Sequence, residues 1–74
     1  MTKFKIEITY KSGVLDSEGD ATLGALKTLG FHVSSVKSSK AYTIETSEDA
    51  KKVEEMCKKL LANPIIQEYF IKKL

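Results

Sequence analysis

From Thr2 to Lys11 the side chains alternate, Phe4, Ile6, Ile8 and Tyr10 on one parity and Lys3, Lys5, Glu7 and Thr9 on the other. This predicts a strand with one face on a core and one in water. Gly13 breaks the alternation. Asp16, Ser17, Glu18 and Asp20 then place capping oxygens and negative charge where a helix's unpaired N–H groups begin. The helix would bury Leu23, Leu26 and Leu29 with Ala21 and Ala25 and stop at Gly30 in a left-handed cap. Gly24 inside it costs about 1 kcal/mol against alanine and predicts a close backbone approach. Phe31 and Val33 predict a second strand whose parity slips before Val36, with a hairpin in the serine-rich stretch Ser34 to Lys40. A third strand follows, Tyr42 and Ile44 inward and Ala41, Thr43 and Glu45 outward. Thr46 or Ser47 would cap a second helix with Ala50, Val53, Cys57, Leu60 and Leu61 as its apolar stripe. Glu54–Lys58 and Glu55–Lys59 are predicted as i,i+4 pairs on its wet side. Asn63 and Pro64 end it, and a last strand runs from Ile65 towards Lys73.

The order β-α-β-β-α-β in so short a chain predicts an α+β, ferredoxin-like two-layer sandwich, an antiparallel sheet with both helices on one face. The chain has 74 residues, 42% hydrophobic and 30% charged, which fits one soluble globular domain spanning 1–74. One cysteine and one histidine supply neither a disulfide nor a structural metal, the usual reinforcement of so small a core, so self-association is expected. The last strand points the same way. It is apolar on both parities, with Ile65, Tyr69 and Ile71 against Ile66, Phe70 and Leu74, whereas a sheet covered on one side alternates. These six residues are the expected homodimer interface.

Charge narrows the chemistry. Twelve positive side chains against ten negative give +2, and all twelve are lysine, so the planar fork favoured for phosphate recognition is missing. No apolar run exceeds three residues, which leaves no membrane span or signal-peptide core, and the lone Cys57 makes the cytoplasm the default compartment. Paired-thiolate metal and iron–sulfur chemistry lacks its ligands, and an RNA-recognition surface lacks outward aromatics on the central strands, so no nucleic-acid partner is expected. Cys57 with His32 as base could be read as a nucleophile pair, but Cys57 sits on an apolar stripe, where packing is its usual role. Gly13 to Gly19 lacks the Gly-Lys-Ser/Thr ending of a phosphate loop, and its acidic residues would repel an anion. What remains is a non-catalytic, self-associating domain, with a stand-alone dimeric module binding a regulatory ligand as the alternative.

Two stretches carry a family resemblance. Ser12-Gly13-Val14-Leu15-Asp16-Ser17-Glu18-Gly19, running on to Ala25-Leu26 and Leu29-Gly30-Phe31, resembles the opening loop and first helix of the PurS family, the small subunit of phosphoribosylformylglycinamidine synthase. Glu55 to Tyr69 is similar to that family's Met-Cys-x-x-Leu-Leu-Ala-Asn-Pro-Val/Ile-Ile-x-x-Tyr signature, here Met56-Cys57-Lys58-Lys59-Leu60-Leu61-Ala62-Asn63-Pro64-Ile65-Ile66-Gln67-Glu68-Tyr69. One departure is Val36-Lys37-Ser38-Ser39-Lys40, where the family reads Val-Arg-x-Gly-Lys. The resemblance implies an accessory subunit of an ATP-dependent glutamine amidotransferase in purine biosynthesis, joining a large synthetase subunit and a glutaminase subunit and favouring ammonia transfer between them. It implies a homodimer, with a tetramer as the next order of assembly. ATP and Mg would belong to the complex, with no cofactor and no catalytic residue in this chain. The loop residues Asp16 and Glu18 and the segment residues Lys37 and Lys40 are the expected contacts with the larger subunits.

Overall fold

The structure is a computed structural model that describes all 74 residues. Strand β1 (Thr2–Tyr10) is followed by helix α1 (Ser17–Thr28), strand β2 (Ser39–Thr46), helix α2 (Ala50–Met56) continuing as a π-helical turn (Cys57–Leu61), and strand β3 (Gln67–Lys73). The sheet order is β2-β1-β3, antiparallel throughout. Ile6 lies between Tyr42 and Ile71, flanked along β1 by Phe4 opposite Ile44 and Ile8 opposite Tyr69. One face is therefore an apolar row, as the alternation requires. Val53, Cys57 and Ala62 close over Phe4, Ile6 and Ile8 to form the buried core, with Tyr42, Ile44, Leu61, Tyr69 and Ile71 packed at its margins.

The α+β class, the antiparallel sheet and the two helices are as expected; the strand count is not. Phe31 to Ser38 form no ladder, so there are three strands, and the hairpin placed within Ser34 to Lys40 is instead an irregular approach to β2. β1 already has both edges paired, and a fourth strand would have to add to an outer edge with a short, serine-interrupted segment that cannot cover one face by alternation.

Helix α1 departs further. It is well capped: Gly30 at φ +93 closes a Schellman turn in which its N–H donates to Lys27 O at 3.0 Å and the Phe31 N–H to Leu26 O at 3.1 Å. Its stripe, however, is not core. No α1 residue joins or packs against the core; Leu23 and Leu26 are half-buried, and Leu29 and Phe31 are 73% and 59% exposed. The longest dimension is 47 Å, whereas nine strand residues span about 30 Å, so α1 projects beyond the end of the sheet. The radius of gyration, 15.3 Å, exceeds the about 11 Å of a compact chain of this length.

Around α2 the sequence reading shifts by small amounts. The N-cap is Asp49, whose carboxylate accepts from the Lys52 N–H at 3.0 Å, because Thr46 still belongs to β2; Thr46 Oγ1 accepts from the Glu48 N–H in the turn between. Glu54 pairs with Lys58 at 3.2 Å, but Glu55 pairs with Lys52 at 3.5 Å and not with Lys59. The Ala62 N–H donates to Cys57 O at 2.9 Å, an i to i+5 bond that widens the turn by one residue. The extra residue turns Leu60 outward, 83% exposed, and brings Ala62 into the core in its place. Asn63 then stops the helix: its side chain accepts from the Ile65 N–H at 3.0 Å, its carbonyl accepts from the Gln67 N–H at 2.8 Å, and Gln67 Oε1 accepts from the Asn63 N–H at 2.8 Å. These bonds fix where β3 begins, two residues later than the sequence pattern indicates.

Candidate functional site

The chain's most tightly specified polar arrangement lies at the base of α1. Asp16, the N-cap, accepts from the Gly19 N–H at 2.9 Å as a helix cap should. The same carboxylate accepts from the Ser38 N–H at 2.6 Å and the Ser38 hydroxyl at 2.5 Å, twenty-two residues away. One side chain thus clasps the linker that follows β1 to the linker that leads into β2. Gly19 makes the clasp possible, since a Cβ there would meet the Asp16 carboxylate and lie 2.8 Å from Val36 O. Gly24, where a close approach was expected, has nothing within 4 Å. The sequence pattern located a glycine with a packing role on the right helix and at the wrong position, because Val36 reaches α1 only through the tertiary fold.

The clasp brings together the loop and segment residues expected to contact other subunits. Lys37 precedes Ser38 and is exposed; Lys40 and Glu18 are exposed, while Asp16 is half-buried and its carboxylate is engaged by Ser38. An open groove of about 930 Å³ runs past the clasp, with Thr9, Lys11, Leu15, Asp20 and Ser35 among its walls.

Hydrogen bonds from the Ser38 hydroxyl, then from the Ser38 and Gly19 N–H groups, hold the Asp16 carboxyl below its ordinary range. A carboxylate with a depressed folded pKa contributes stability fully above its unfolded value of about 3.9 and loses it as pH falls through the folded pKa. Urea midpoints measured below about pH 4 should therefore fall less steeply for Asp16→Asn than for the native chain; identical slopes would show that the clasp contributes nothing.

The last strand divides between two roles. Tyr69 and Ile71 face the chain's own core and are half-buried, with the Tyr69 hydroxyl 3.5 Å from Glu54 Oε1. Phe70 points to the opposite face at 57% exposed, and Ile65 (80%), Leu74 (59%) and Ile66 (36%) flank it in the turn and at the end. Of the six residues read as a dimer interface, four are thus available to another chain.

The other candidates are settled by placement. Cys57 is fully buried, and burial pushes its thiol up, the wrong direction for a nucleophile; His32 is exposed on the linker after α1. No cluster of three His, Cys, Asp or Glu side chains could hold a metal ion, and no helix is long and apolar enough to cross a membrane.

The chain as a whole resembles known proteins in sequence and fold. A family model described as phosphoribosylformylglycinamidine (FGAM) synthase, PurS, matches residues 3–74. The PurS subunit of phosphoribosylformylglycinamidine synthase from Archaeoglobus fulgidus is 46% identical over 72 residues, covering 89% of this chain and 90% of that one. The solved structure of Methanocaldococcus jannaschii PurS, one of the subunits of formylglycinamide ribonucleotide amidotransferase, superposes with a TM-score of 0.88 at 46% identity, covering 100% of this chain and 96% of that chain. A chain of the PurLQS structure from Thermotoga maritima superposes with a TM-score of 0.68 at 30% identity, covering 99% and 96%. A match along almost its entire length, in sequence and in fold together, places this chain in the PurS family of phosphoribosylformylglycinamidine synthase.

Proposed function

We propose that this chain is the small accessory subunit of a cytoplasmic phosphoribosylformylglycinamidine synthase in purine biosynthesis, an adaptor between the synthetase and glutaminase subunits. The observation that carries this reading is the likeness, across 99% of the chain, to a chain of the T. maritima PurLQS assembly. The chain's own chemistry agrees with an adaptor: its one thiol is sealed in the core, and the Asp16 carboxylate, which accepts three hydrogen bonds, is engaged in holding two linkers together. Transfer of ammonia from glutamine to an ATP-activated amide requires two catalytic centres to be aligned and shielded from water, which a rigid protein can do without touching either reactant. ATP and Mg belong to the larger subunits in this reading, and this chain holds no cofactor.

The adaptor works as a homodimer. The exposed Glu18, Lys37 and Lys40 around the Asp16 clasp meet a larger subunit, and the outward apolar row Ile65, Ile66, Phe70 and Leu74 is buried against another chain. Loops held on a rigid base commonly carry recognition.

The test is formylglycinamidine synthesis by the cognate large and glutaminase subunits, with and without this chain, comparing glutamine with ammonium as nitrogen donor. Addition of the chain should restore the glutamine-dependent rate and leave the ammonium-dependent rate unchanged. If neither rate responds, the adaptor reading fails and a regulatory module becomes the reading to pursue.

A further inference from the structure

Two devices between Cys57 and Gln67 turn large aliphatic side chains into water. The first is the π-helical turn. Regular helical spacing would place Leu60, three residues after Cys57, on the stripe that Val53 and Cys57 bury, and the widened turn leaves it almost wholly exposed instead. The second is the turn that follows. All four of its N–H groups are donated: those of Ile66 and Gln67 to Asn63 O at 3.3 and 2.8 Å, that of Ile65 to Asn63 Oδ1 at 3.0 Å, and that of Asn63 to Gln67 Oε1 at 2.8 Å. Pro64, the remaining residue, has no N–H and fixes its own φ. Lys11 ties the turn to the end of β1, its N–H donating to Ile66 O at 2.9 Å and its ammonium to Pro64 O at 2.7 Å. So firmly held a turn presents Ile65 to solvent.

Apart from Met1, no large apolar side chain is more exposed than Leu60 and Ile65. Neither stabilises the isolated chain by burial, yet the backbone beneath both is fixed, which lowers the ordering cost when another surface covers them. They are five residues apart, at most about 18 Å along an extended chain, so one patch of ordinary interface size, about 800 Å², spans both. The charge around them has one sign. From Met56 to Gln67 the only charged residues are Lys58 and Lys59, and the Lys11 ammonium adds a third cation at Pro64. Lys58 pairs with Glu54, whereas Lys59 pairs with no carboxylate. A second copy meeting this surface across a two-fold axis would set these lysines against their own counterparts, which like-charge repulsion opposes.

We infer that Leu60 and Ile65 form a preformed apolar anchor that seats in an apolar socket with a carboxylate rim on a partner of different sequence. An apolar centre within a charged ring is the usual anatomy of such a contact. This assignment rests on the adaptor reading, under which the partner is a larger subunit of the synthase. The anchor lies apart from Lys37 and Lys40 beside the Asp16 clasp, so the subunit meets its partners at two separate places.

Titration calorimetry of the native chain, Leu60→Gln, Ile65→Gln and Lys59→Glu with each larger subunit, and with the two together, tests this, with sedimentation and urea midpoints recorded for every variant. The native chain should bind, each apolar variant should lose about tenfold in affinity, and Lys59→Glu should lose several-fold at about 0.05 M salt and little at about 0.5 M, where screening is strong. Masses and urea midpoints should stay as in the native chain. Native affinity in both apolar variants would overturn the anchor and leave the adaptor reading standing. A changed mass or a lowered midpoint accompanying the loss would assign the two side chains to self-association or to the fold, and so overturn it as well. Unchanged or tighter binding by Lys59→Glu would overturn the carboxylate rim. If the native chain binds no larger subunit, the adaptor reading and the anchor fail together.

Discussion

Ile6→Ala should remove a large share of the chain's stability, at an expected cost of about 2–5 kcal/mol. Ile6 is fully buried at the centre of the sheet, between Tyr42 on β2 and Ile71 on β3, and only six apolar residues are buried in all. A domain of this length has a total stability of about 4–11 kcal/mol, so one cavity at the centre can consume half of it. Compensation is limited, because the neighbours that would have to collapse into the space, Val53 and Cys57, are held by helical backbone. Urea unfolding followed by circular dichroism measures the loss at a protein concentration kept equal for both chains, since any self-association adds to apparent stability. A loss under about 1 kcal/mol would mean that the sheet's centre is not where the chain's stability resides.

The second large effect is expected at a residue with no side chain. Gly19→Ala puts a methyl group against the Asp16 carboxylate and the Val36 carbonyl, and neither can yield freely: the first is held by Ser38 and the second is backbone. Overpacking of this kind costs about 1–3 kcal/mol, and relieving it means opening the clasp. The reorientation of α1 that follows should weaken any assembly depending on its direction. Gly24→Ala is the matched control, in the same helix with nothing within 4 Å, and should instead gain about 0.5–1 kcal/mol from helix propensity. Opposite shifts in the two urea midpoints are the expected outcome. Equal shifts would reduce Gly19 to an ordinary helix position.

The contrast between these two glycines shows how far local pattern reaches. Alternation along β1 placed Phe4, Ile6 and Ile8 inward, because a strand's side-chain period of two leaves no other choice once one face is apolar. The same logic placed Tyr42 and Ile44. Asp16 as a cap and Gly30 as a left-handed stop were legible because both are satisfied within a few residues of the chain. The Ser38 bonds to Asp16 were not, because they join residues twenty-two apart. Nor was the π-helical turn, which moves Leu60 out and Ala62 in by an added residue that helical periodicity of 3.6 does not contain.

The sequence by itself determined the class of fold, the inward rows of β1 and β2, the ends of α1, the absence of paired thiolates and arginine, and, through Met56 to Tyr69, the family. Each of these depends on residue identity or on contacts local in the chain. Only the tertiary structure decided that Phe31 to Ser38 join no strand ladder, that α1 leaves its own sheet, and that the two-sided last strand gives Tyr69 and Ile71 to its own core and Phe70 to the outside. An apolar stripe states that a helix must be covered; which surface covers it is a matter of where the linkers aim, and in this chain the aim is set by one carboxylate, one serine and a glycine without room for a methyl group.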